Sequence, residues 1–201
     1  MNLKTTLAAA LLATTAAGSA FADSIPYGNV GTANPVTYTF TAATTGDISA
    51  YYLGSTAGYT EYLGLLVNGT DSGVTGLQNH GALPAETAVG QQLDFGHVNA
   101  GDVLTFYTYV SDIGTAWYST VALNTDGVNH VYSTSYTGPD GPAGTYVAFE
   151  DLAGGGDLNY HDETFVFTNV ASTPSIPEPA NMALLMAGCG LVGFMARRRR
   201  S

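Results

Sequence analysis

The sequence predicts an all-β domain, a β-sandwich or jelly roll of about eight short strands. Apolar and polar residues alternate in several short runs between residues 36 and 170, as they do in half-buried strands. Clusters of Gly, Asn, Asp and Pro separate the runs and are typical of turns. Between residues 23 and 173, no segment carries the 3.6-residue apolar period of an amphipathic helix.

The strands are predicted, in chain order, at 36–41, 48–53, 62–68, 103–110, 117–123, 128–136, 145–149 and 164–170. Alternation is clear in 103–110, where Leu104, Phe106 and Val110 fall on one face and two tyrosines on the other. Asp126-Gly127 lies between two of these runs and predicts a β-hairpin there. The stretch from 69 to 92 is predicted to be a loop.

The N-terminus has the pattern of a secretory signal peptide over residues 1–22. Lys4 precedes an apolar run rich in Ala and Leu, and the small residues Ala20 and Ala22 fit a signal-peptidase site. Cleavage there makes Asp23 the first residue of the mature chain. An uncleaved N-terminal anchor is the alternative, which the short apolar run disfavours.

The C-terminal segment, residues 174–201, has three parts in order. Pro177, Glu178 and Pro179 interrupt any regular structure that continues from the domain. Residues 180–196 are uncharged and would form a helix about 25 Å long, near the lower limit for spanning a bilayer. A terminal cluster of basic residues then favours a cytoplasmic C-terminus. It consists of Arg197, Arg198, Arg199 and Arg200.

These three parts resemble the PEP-CTERM sorting signal of Gram-negative bacteria that make exopolysaccharide. The resemblance implies that exosortase, a membrane protease-transpeptidase, cuts near Pro177-Glu178-Pro179. The domain would be anchored in the inner membrane transiently and then reach the cell surface or extracellular matrix. An ordinary C-terminal membrane anchor that is never cut is the alternative.

The domain between the two signals, residues 23–173, is strongly acidic. All five Lys and Arg residues lie outside the domain. Of the 16 acidic residues, 15 lie inside it, and only Glu178 lies outside. Such a surface repels phosphate backbones, so nucleic-acid binding is not expected. It attracts divalent cations. The single cysteine, Cys189, is in the apolar tail, so the domain has neither a disulfide nor a thiol nucleophile.

An acidic, glycine-rich stretch between two apolar runs predicts a calcium site. Carboxylate and amide oxygens on both sides of the three glycines 154–156 are ligands of the kind that calcium gathers. The predicted metal ligands are Glu150, Asp151, Asp157, Asn159 and Asp162. The alternative is an acidic turn whose Asp and Asn side chains bond only to local backbone amides.

The same stretch resembles the signature of a domain family of unknown function in bacterial surface proteins. That signature has Glu-Asp after an apolar strand, a glycine-rich loop, and Asp-x-Asp-Tyr-Asn-Asp before the next strand. Asn159 and His161 stand where the family usually has Asp and Asn, and each change removes a charge or an oxygen. The resemblance implies a β-sandwich and a suspected calcium role.

No pattern indicates an enzyme. The domain has no nucleophile elbow and no phosphate loop, and its histidines are far apart in sequence. A secreted structural or adhesive protein of the exopolysaccharide matrix is therefore expected. The alternative is a carbohydrate-binding module that uses exposed Trp117 or some of the 13 tyrosines, although tyrosine is also simply a favoured strand residue.

Overall fold

The fold is all-β. The structure, a computed structural model, describes residues 25–80 and 87–175. Within them it has eleven strands: β1 Thr37–Ala42, β2 Gly46–Ser55, β3 Glu61–Val67, β4 Thr70–Gly76, β5 Gln92–Val98, β6 Val103–Val110, β7 Thr115–Tyr118, β8 Val131–Tyr136, β9 Gly144–Phe149, β10 Glu163–Thr168 and β11 Val170–Ser175. The predicted signal peptide, and the predicted sorting signal from residue 176 onward, lie outside the described residues.

The strands form two antiparallel sheets. The first sheet has the order β11-β1-β6-β3-β4, and β7 pairs with the second half of β6. The second sheet has the order β5-β2-β10-β9-β8. Consecutive strands therefore often lie in different sheets, and β10 at the centre of the second sheet pairs with both β2 and β9.

The inner faces of the two sheets share one apolar core. Phe106 of the first sheet stacks on Phe167 of the second, with ring centroids 3.9 Å apart. Leu104, Phe106 and Val110 are at most 1% exposed, so the alternation in β6 is as the sequence predicts. Burying a side chain of this size stabilises the fold by roughly 1.5–3 kcal/mol.

The outer face of the second sheet is covered by other parts of the chain. Tyr27, from the segment before β1, meets Tyr160 edge to face at 4.8 Å. Both belong to a second buried cluster with Tyr146 and Val166, which point away from the main core. Several of the tyrosines are thus structural.

Seven of the predicted strands are found to within a few residues. The strand predicted at 117–123 is only partly correct, because β7 ends at Tyr118 and a 3₁₀ turn occupies Val121–Leu123. Three further strands, β4, β5 and β11, were not predicted. The predicted hairpin at Asp126-Gly127 is wrong, because β7 pairs with β6 in the first sheet and β8 pairs with β9 in the second. The predicted loop at 69–92 contains β4, and its last residue begins β5. The chain also continues past the last predicted strand into β11, which pairs with β1 up to Ser175.

Candidate metal centre

The acidic, glycine-rich stretch is a tight loop between β9 and β10. Gly154, Gly155 and Gly156 all have positive φ angles, which glycine adopts readily and which permit a sharp reversal. Gly156 is also needed for space, since a Cβ there would lie 2.9 Å from a carboxylate oxygen of Glu150. Tyr160 has a φ of 53°, which is uncommon for a bulky residue. The loop therefore folds closely over Glu150.

The predicted ligands Asp157 and Asn159 form a local turn at the outside of this loop. Asp157 is exposed, and its Oδ1 accepts from the Asn159 backbone N–H at 3.2 Å. Its Oδ2 accepts from Asn159 Nδ2 at 2.8 Å. This is the local bonding that the acidic-turn alternative describes.

Asp151 and Asp162, at the two ends of the loop, lie together at one end of the two-sheet core. The Asp151 backbone N–H donates to Asp162 Oδ2 at 3.0 Å. Two further acids approach them there: Glu61, the first residue of β3, and Glu163, the first residue of β10. Glu61, Asp151, Asp162 and Glu163 are called the carboxylate cluster below.

Glu61 is the most unusual member of the carboxylate cluster. It is 0% exposed, on the inner face of the first sheet beside Leu63. Its backbone N–H donates to Asn79 Oδ1 at 2.8 Å. Neither carboxylate oxygen has a hydrogen-bond donor among the described residues, and the polar groups beside them are the other carboxyls of the cluster. Such a group is costly to bury unless something neutralises it.

Glu163 reaches the same point from the second sheet. It is also 0% exposed, and Thr108 Oγ1 of β6 donates to its Oε2 at 2.8 Å. In the described part of the chain, its Oε1 has no polar neighbour except the carboxyls of the cluster, Glu61 first among them. The carboxylate cluster therefore lies between the sheets and connects them.

Buried groups around the carboxylate cluster fix the position of the loop. Trp117 Nε1 donates to the Asp151 carbonyl oxygen at 2.6 Å, and the indole stacks on His130 at 4.1 Å and 8°. His130 Nδ1 lies 3.0 Å from the Glu150 carbonyl oxygen, and its Nε2 lies 2.9 Å from Asp126 Oδ2. Both partners are acceptors, so the imidazolium form satisfies both contacts. Trp117 is only 3% exposed, which is inconsistent with a role in surface binding.

Burial and mutual repulsion raise the pKa values of three members of the carboxylate cluster, Glu61, Asp162 and Glu163. Burial, followed by the charge of Glu163, raises the pKa of Glu61 to about 12. Burial raises the pKa of Glu163 to about 8 even though Thr108 donates to it, with repulsion from Asp151 and Asp162 adding to the shift. Burial, then Asp151 and Glu150, raises the pKa of Asp162 to about 8. Without a cation, the cluster therefore retains protons at neutral pH.

The described residues contain no Lys or Arg that could compensate these charges. A proton or a metal ion must do so. Residues 25–80 and 87–175 hold no group of three His, Cys, Asp or Glu side chains already arranged around a metal position. Binding a cation in the carboxylate cluster therefore requires these side chains to rotate toward a common point. Apart from the Thr108 bond, the oxygens of Glu61 and Glu163 contact only other carboxyls of the cluster, so this rotation would replace interactions within the cluster.

Glu150 provides a second set of unsatisfied oxygens under the loop. It is 0% exposed, and the Tyr160 backbone N–H donates to its Oε1. Its Oε2 has no partner, and neither has the buried Oδ1 of Asn159. Burial, which outweighs the Tyr160 hydrogen bond, raises the pKa of Glu150 to about 7. The predicted ligands are thus divided between the loop and the carboxylate cluster.

Sequence reasoning did not assign Glu61 or Glu163 to the site. Glu163 directly follows Asp162, and its position at the start of an apolar strand was the available signal. For Glu61 the signal was its position in the strand. Residues two apart in a strand lie on the same face, so Glu61 is on the same face as Leu63, Leu65 and Val67, which face inward. An acid in step with core residues is expected to be buried and therefore to have a special role.

Comparison with known proteins identifies no relative. No protein-family model, curated protein or solved structure matches the chain. In the part of the chain that the structure describes, there is no helix of sufficient length and apolarity to cross a membrane. The function must therefore be argued from the residues themselves.

Proposed function

We propose that this chain is an exported structural or adhesive protein of the cell surface or exopolysaccharide matrix, in which calcium ties together the two sheets of a β-sandwich. The export signals and the PEP-CTERM resemblance support the location. The fold is compatible with processing by exosortase, since β11 ends at Ser175, two residues before Pro177. Release at Pro177–Pro179 would leave the folded domain intact.

The observation that carries the calcium proposal is the pair of buried acids Glu61 and Glu163, which no Lys or Arg of the described residues neutralises. They come from different sheets, and three of their four carboxylate oxygens have no polar neighbours except the other carboxyls of the cluster. Asp151 and Asp162 add oxygens from the loop. Calcium takes six to eight oxygen ligands in flexible geometry, whereas a zinc site usually includes His or Cys. The ligand set of the carboxylate cluster is therefore that of a hard cation.

The burial of these acids favours a structural role for the ion over a catalytic one. Glu61 and Glu163 are 0% exposed, so a substrate could not reach an ion between them. A catalytic metal site keeps an open position, and a structural site is closed. An ion here would hold β3 of the first sheet to β10 of the second, and with them the loop after β9. A secreted protein without disulfides gains stability in this way.

Thermal unfolding of the full-length chain in detergent, after metal removal, tests the proposal. We expect calcium to raise Tm, and magnesium at equal concentration to have a much smaller effect, because magnesium demands a stricter octahedron and dehydrates reluctantly. At about a hundredfold excess over Kd, a ligand that binds only the folded state adds about 2.7 kcal/mol. Equal effects of both ions would mean simple screening of the acidic surface and would contradict the proposal.

Three variants locate the ion. Glu61→Gln keeps the shape and polarity of the side chain but removes its charge, so it should abolish the calcium-dependent rise in Tm. Asp157→Ala distinguishes the two possible positions: loss of the calcium effect in this variant alone would place the ion in the loop that the sequence predicts. Asp94→Asn, an exposed acid of β5, is the matched control and should leave the calcium effect unchanged.

A further inference from the structure

The outer face of the first sheet carries a groove lined by four tyrosines. Its volume is about 620 Å³, within the range of roughly 300–1,000 Å³ that ligand pockets occupy. We call it the tyrosine groove; it is lined by Tyr62, Asp71, Thr75, Tyr107, Tyr109, Gly114, Ala116 and Tyr118. It lies on the opposite side of the first sheet from the core and is distinct from the carboxylate cluster.

Strand register places the four rings in two neighbouring rows. In one row, Tyr62 of β3 is opposite Tyr109 of β6, which is opposite Ala116 of β7. In the other, Tyr107 of β6 lies between a glycine on β3 and Tyr118 of β7. Each row thus has two aromatic residues and one small residue. Ala116 leaves room above the sheet, whereas the space above the glycine is filled by the Tyr107 ring, which forms the floor of the groove.

Gly64 is the small residue of the second row, and its position allows Tyr107 to lie flat. A Cβ at Gly64 would overlap the Tyr107 ring, so any larger residue here would displace that ring. The Tyr107 hydroxyl reaches β4 and donates to Asp71 Oδ2 at 3.1 Å. Burial, with Asp71 beside it, raises the pKa of Tyr107 to about 12, so the hydroxyl remains a donor. The floor of the groove is therefore fixed before any ligand arrives.

Core packing does not account for these tyrosines. The outer face of an antiparallel sheet that faces water normally carries polar residues. The tyrosines outside the second sheet are different, because they pack in a buried cluster with Tyr27. In the tyrosine groove, Tyr109 remains 41% exposed, and Tyr62 and Tyr118 are half-buried. Exposed aromatic faces together with one carboxylate are a pattern of recognition.

We propose that the tyrosine groove binds a segment of a neutral polysaccharide. Tyrosine rings offer flat faces against which the C–H faces of a pyranose pack, and Asp71 offers an acceptor for sugar hydroxyls. Asp71 also gives the groove a negative charge, and no Lys or Arg is present among the described residues to hold a carboxylate or sulfate group. Uncharged sugars therefore fit better than anionic ones. This site would attach the protein to a matrix, and it does not depend on calcium.

Affinity electrophoresis of the full-length chain tests the proposal, in a detergent that has no sugar headgroup. The gels contain hydroxyethylcellulose, mixed-linkage β-glucan, galactomannan or dextran, and alginate serves as the anionic comparison. We expect at least one neutral polysaccharide to retard the protein and alginate not to do so. Absence of retardation by all four neutral polysaccharides, or retardation by alginate alone, would overturn the proposal.

Variants assign the binding to the tyrosine groove. Tyr109→Ala and Tyr62→Ala should each weaken retardation by about tenfold or more, as removal of a central aromatic contact usually does. Tyr109→Phe, which keeps the ring, should stay close to the unchanged protein. Tyr51→Ala removes a half-buried tyrosine from the second sheet and is the matched control. Equal affinity of Tyr109→Ala and the unchanged protein would place binding elsewhere and reject the groove.

The two sites can be tested separately. Tyr109→Ala should retain the full calcium-dependent rise in Tm, and removal of calcium from an intact protein that stays folded should leave retardation unchanged. If calcium does not raise Tm but neutral polysaccharides still retard the protein, the calcium site in the carboxylate cluster is rejected and the tyrosine groove is not. If calcium raises Tm but no neutral polysaccharide retards the protein, only the proposal for the tyrosine groove is rejected.

Discussion

At the scale of single residues, two glycines make space for the side chain of another residue. Gly156 leaves space for Glu150 beneath the loop, and Gly64 leaves space for the Tyr107 ring. For the first, only the tight reversal was expected from the sequence, because three consecutive glycines are typical of one. The second was not, because a glycine in a strand gives no sign of which side chain will lie over it.

Gly127 provides a test of backbone conformation alone. Its φ is 68°, and a Cβ at this position would meet no atom within 4 Å. Gly127→Val should therefore destabilise the protein by about 1 kcal/mol or more, only because a β-branched residue is strained at positive φ. Gly28 also has open space for a Cβ but no positive φ, so Gly28→Val is the matched control.

Chemical unfolding of the two variants checks this prediction. Gly127→Val should lower the midpoint more than Gly28→Val, with similar slopes. The same midpoint for both variants would mean that the turn at Asp126-Gly127 adopts another conformation in solution. The turn is correctly predicted even though the hairpin is not. Asp126 contacts the nearby Val128 N–H and His130 imidazole, and it also accepts from the distant Gly154 N–H.

At the scale of strands, the sequence predicts those that contribute to the core. β6 has alternating apolar residues on its inner face, and β10 has the apolar run Phe165-Val166-Phe167. Both are interior strands of their sheets. β4 has a single large apolar residue, Val74, and is an edge strand that β3 holds by backbone pairing. β5 is interrupted by a bulge near Gly96, which breaks its alternation. A strand that forms because its neighbours pair with it, and that lacks an apolar pattern of its own, cannot be predicted from a short stretch of sequence.

Pairing between distant segments explains the error at β7 and β8. The strong local signal for a hairpin was outweighed by the pairing of β7 with β6 and by Trp117, which turns inward to bond with Asp151. A 3₁₀ turn at Val121–Leu123 then carries the chain toward the second sheet. Local propensity is a weak prior when burial of a large aromatic residue decides the topology.

Hydrogen exchange should separate the two kinds of strand. Amides of β6 are paired on both sides and buried, so they should exchange only through global or near-global opening. Amides of β4 lie at an edge with mostly exposed side chains and should exchange through local opening, faster by about tenfold or more. Mass spectrometry of peptides covering 103–110 and 70–76 measures both. Equal protection of the two peptides would show that β4 is part of the central folding unit.

At the scale of the whole molecule, the sequence predicts half of the candidate metal centre. Glu150, Asp151 and Asp162 are near one another along the chain, so their proximity could be predicted. Glu61 is separated from them by about 90 residues and joins them only because β3 and β10 face each other across the core. Such a long-range contact depends on topology, which local patterns do not determine.

The carboxylate cluster predicts an unusual dependence of stability on pH for the metal-free protein. The folded-state pKa values of Glu163 and Asp162 are raised to about 8, from 4.5 and 3.8. Between the unfolded-state and folded-state pKa values, the folded chain binds more protons than the unfolded chain. The stability that these groups contribute is therefore greatest at low pH and is lost as pH rises through their folded-state pKa values. We expect the free energy of unfolding to fall by at least about 1.4 kcal/mol between pH 5 and pH 8.5, the equivalent of one pKa unit in one group.

Urea unfolding of the full-length chain, passed over a chelating resin, measures this fall. General repulsion among surface acids also grows with pH, but salt screens it, whereas salt hardly screens buried groups. The fall should therefore persist in about 0.5 M NaCl and should be much smaller in Glu61→Gln/Glu163→Gln, which has lost two of the raised groups. Calcium should oppose it most at high pH, since the ion competes with protons for the same oxygens. A fall that salt removes, or one that the double variant retains in full, would mean that the carboxylate cluster does not control the pH response.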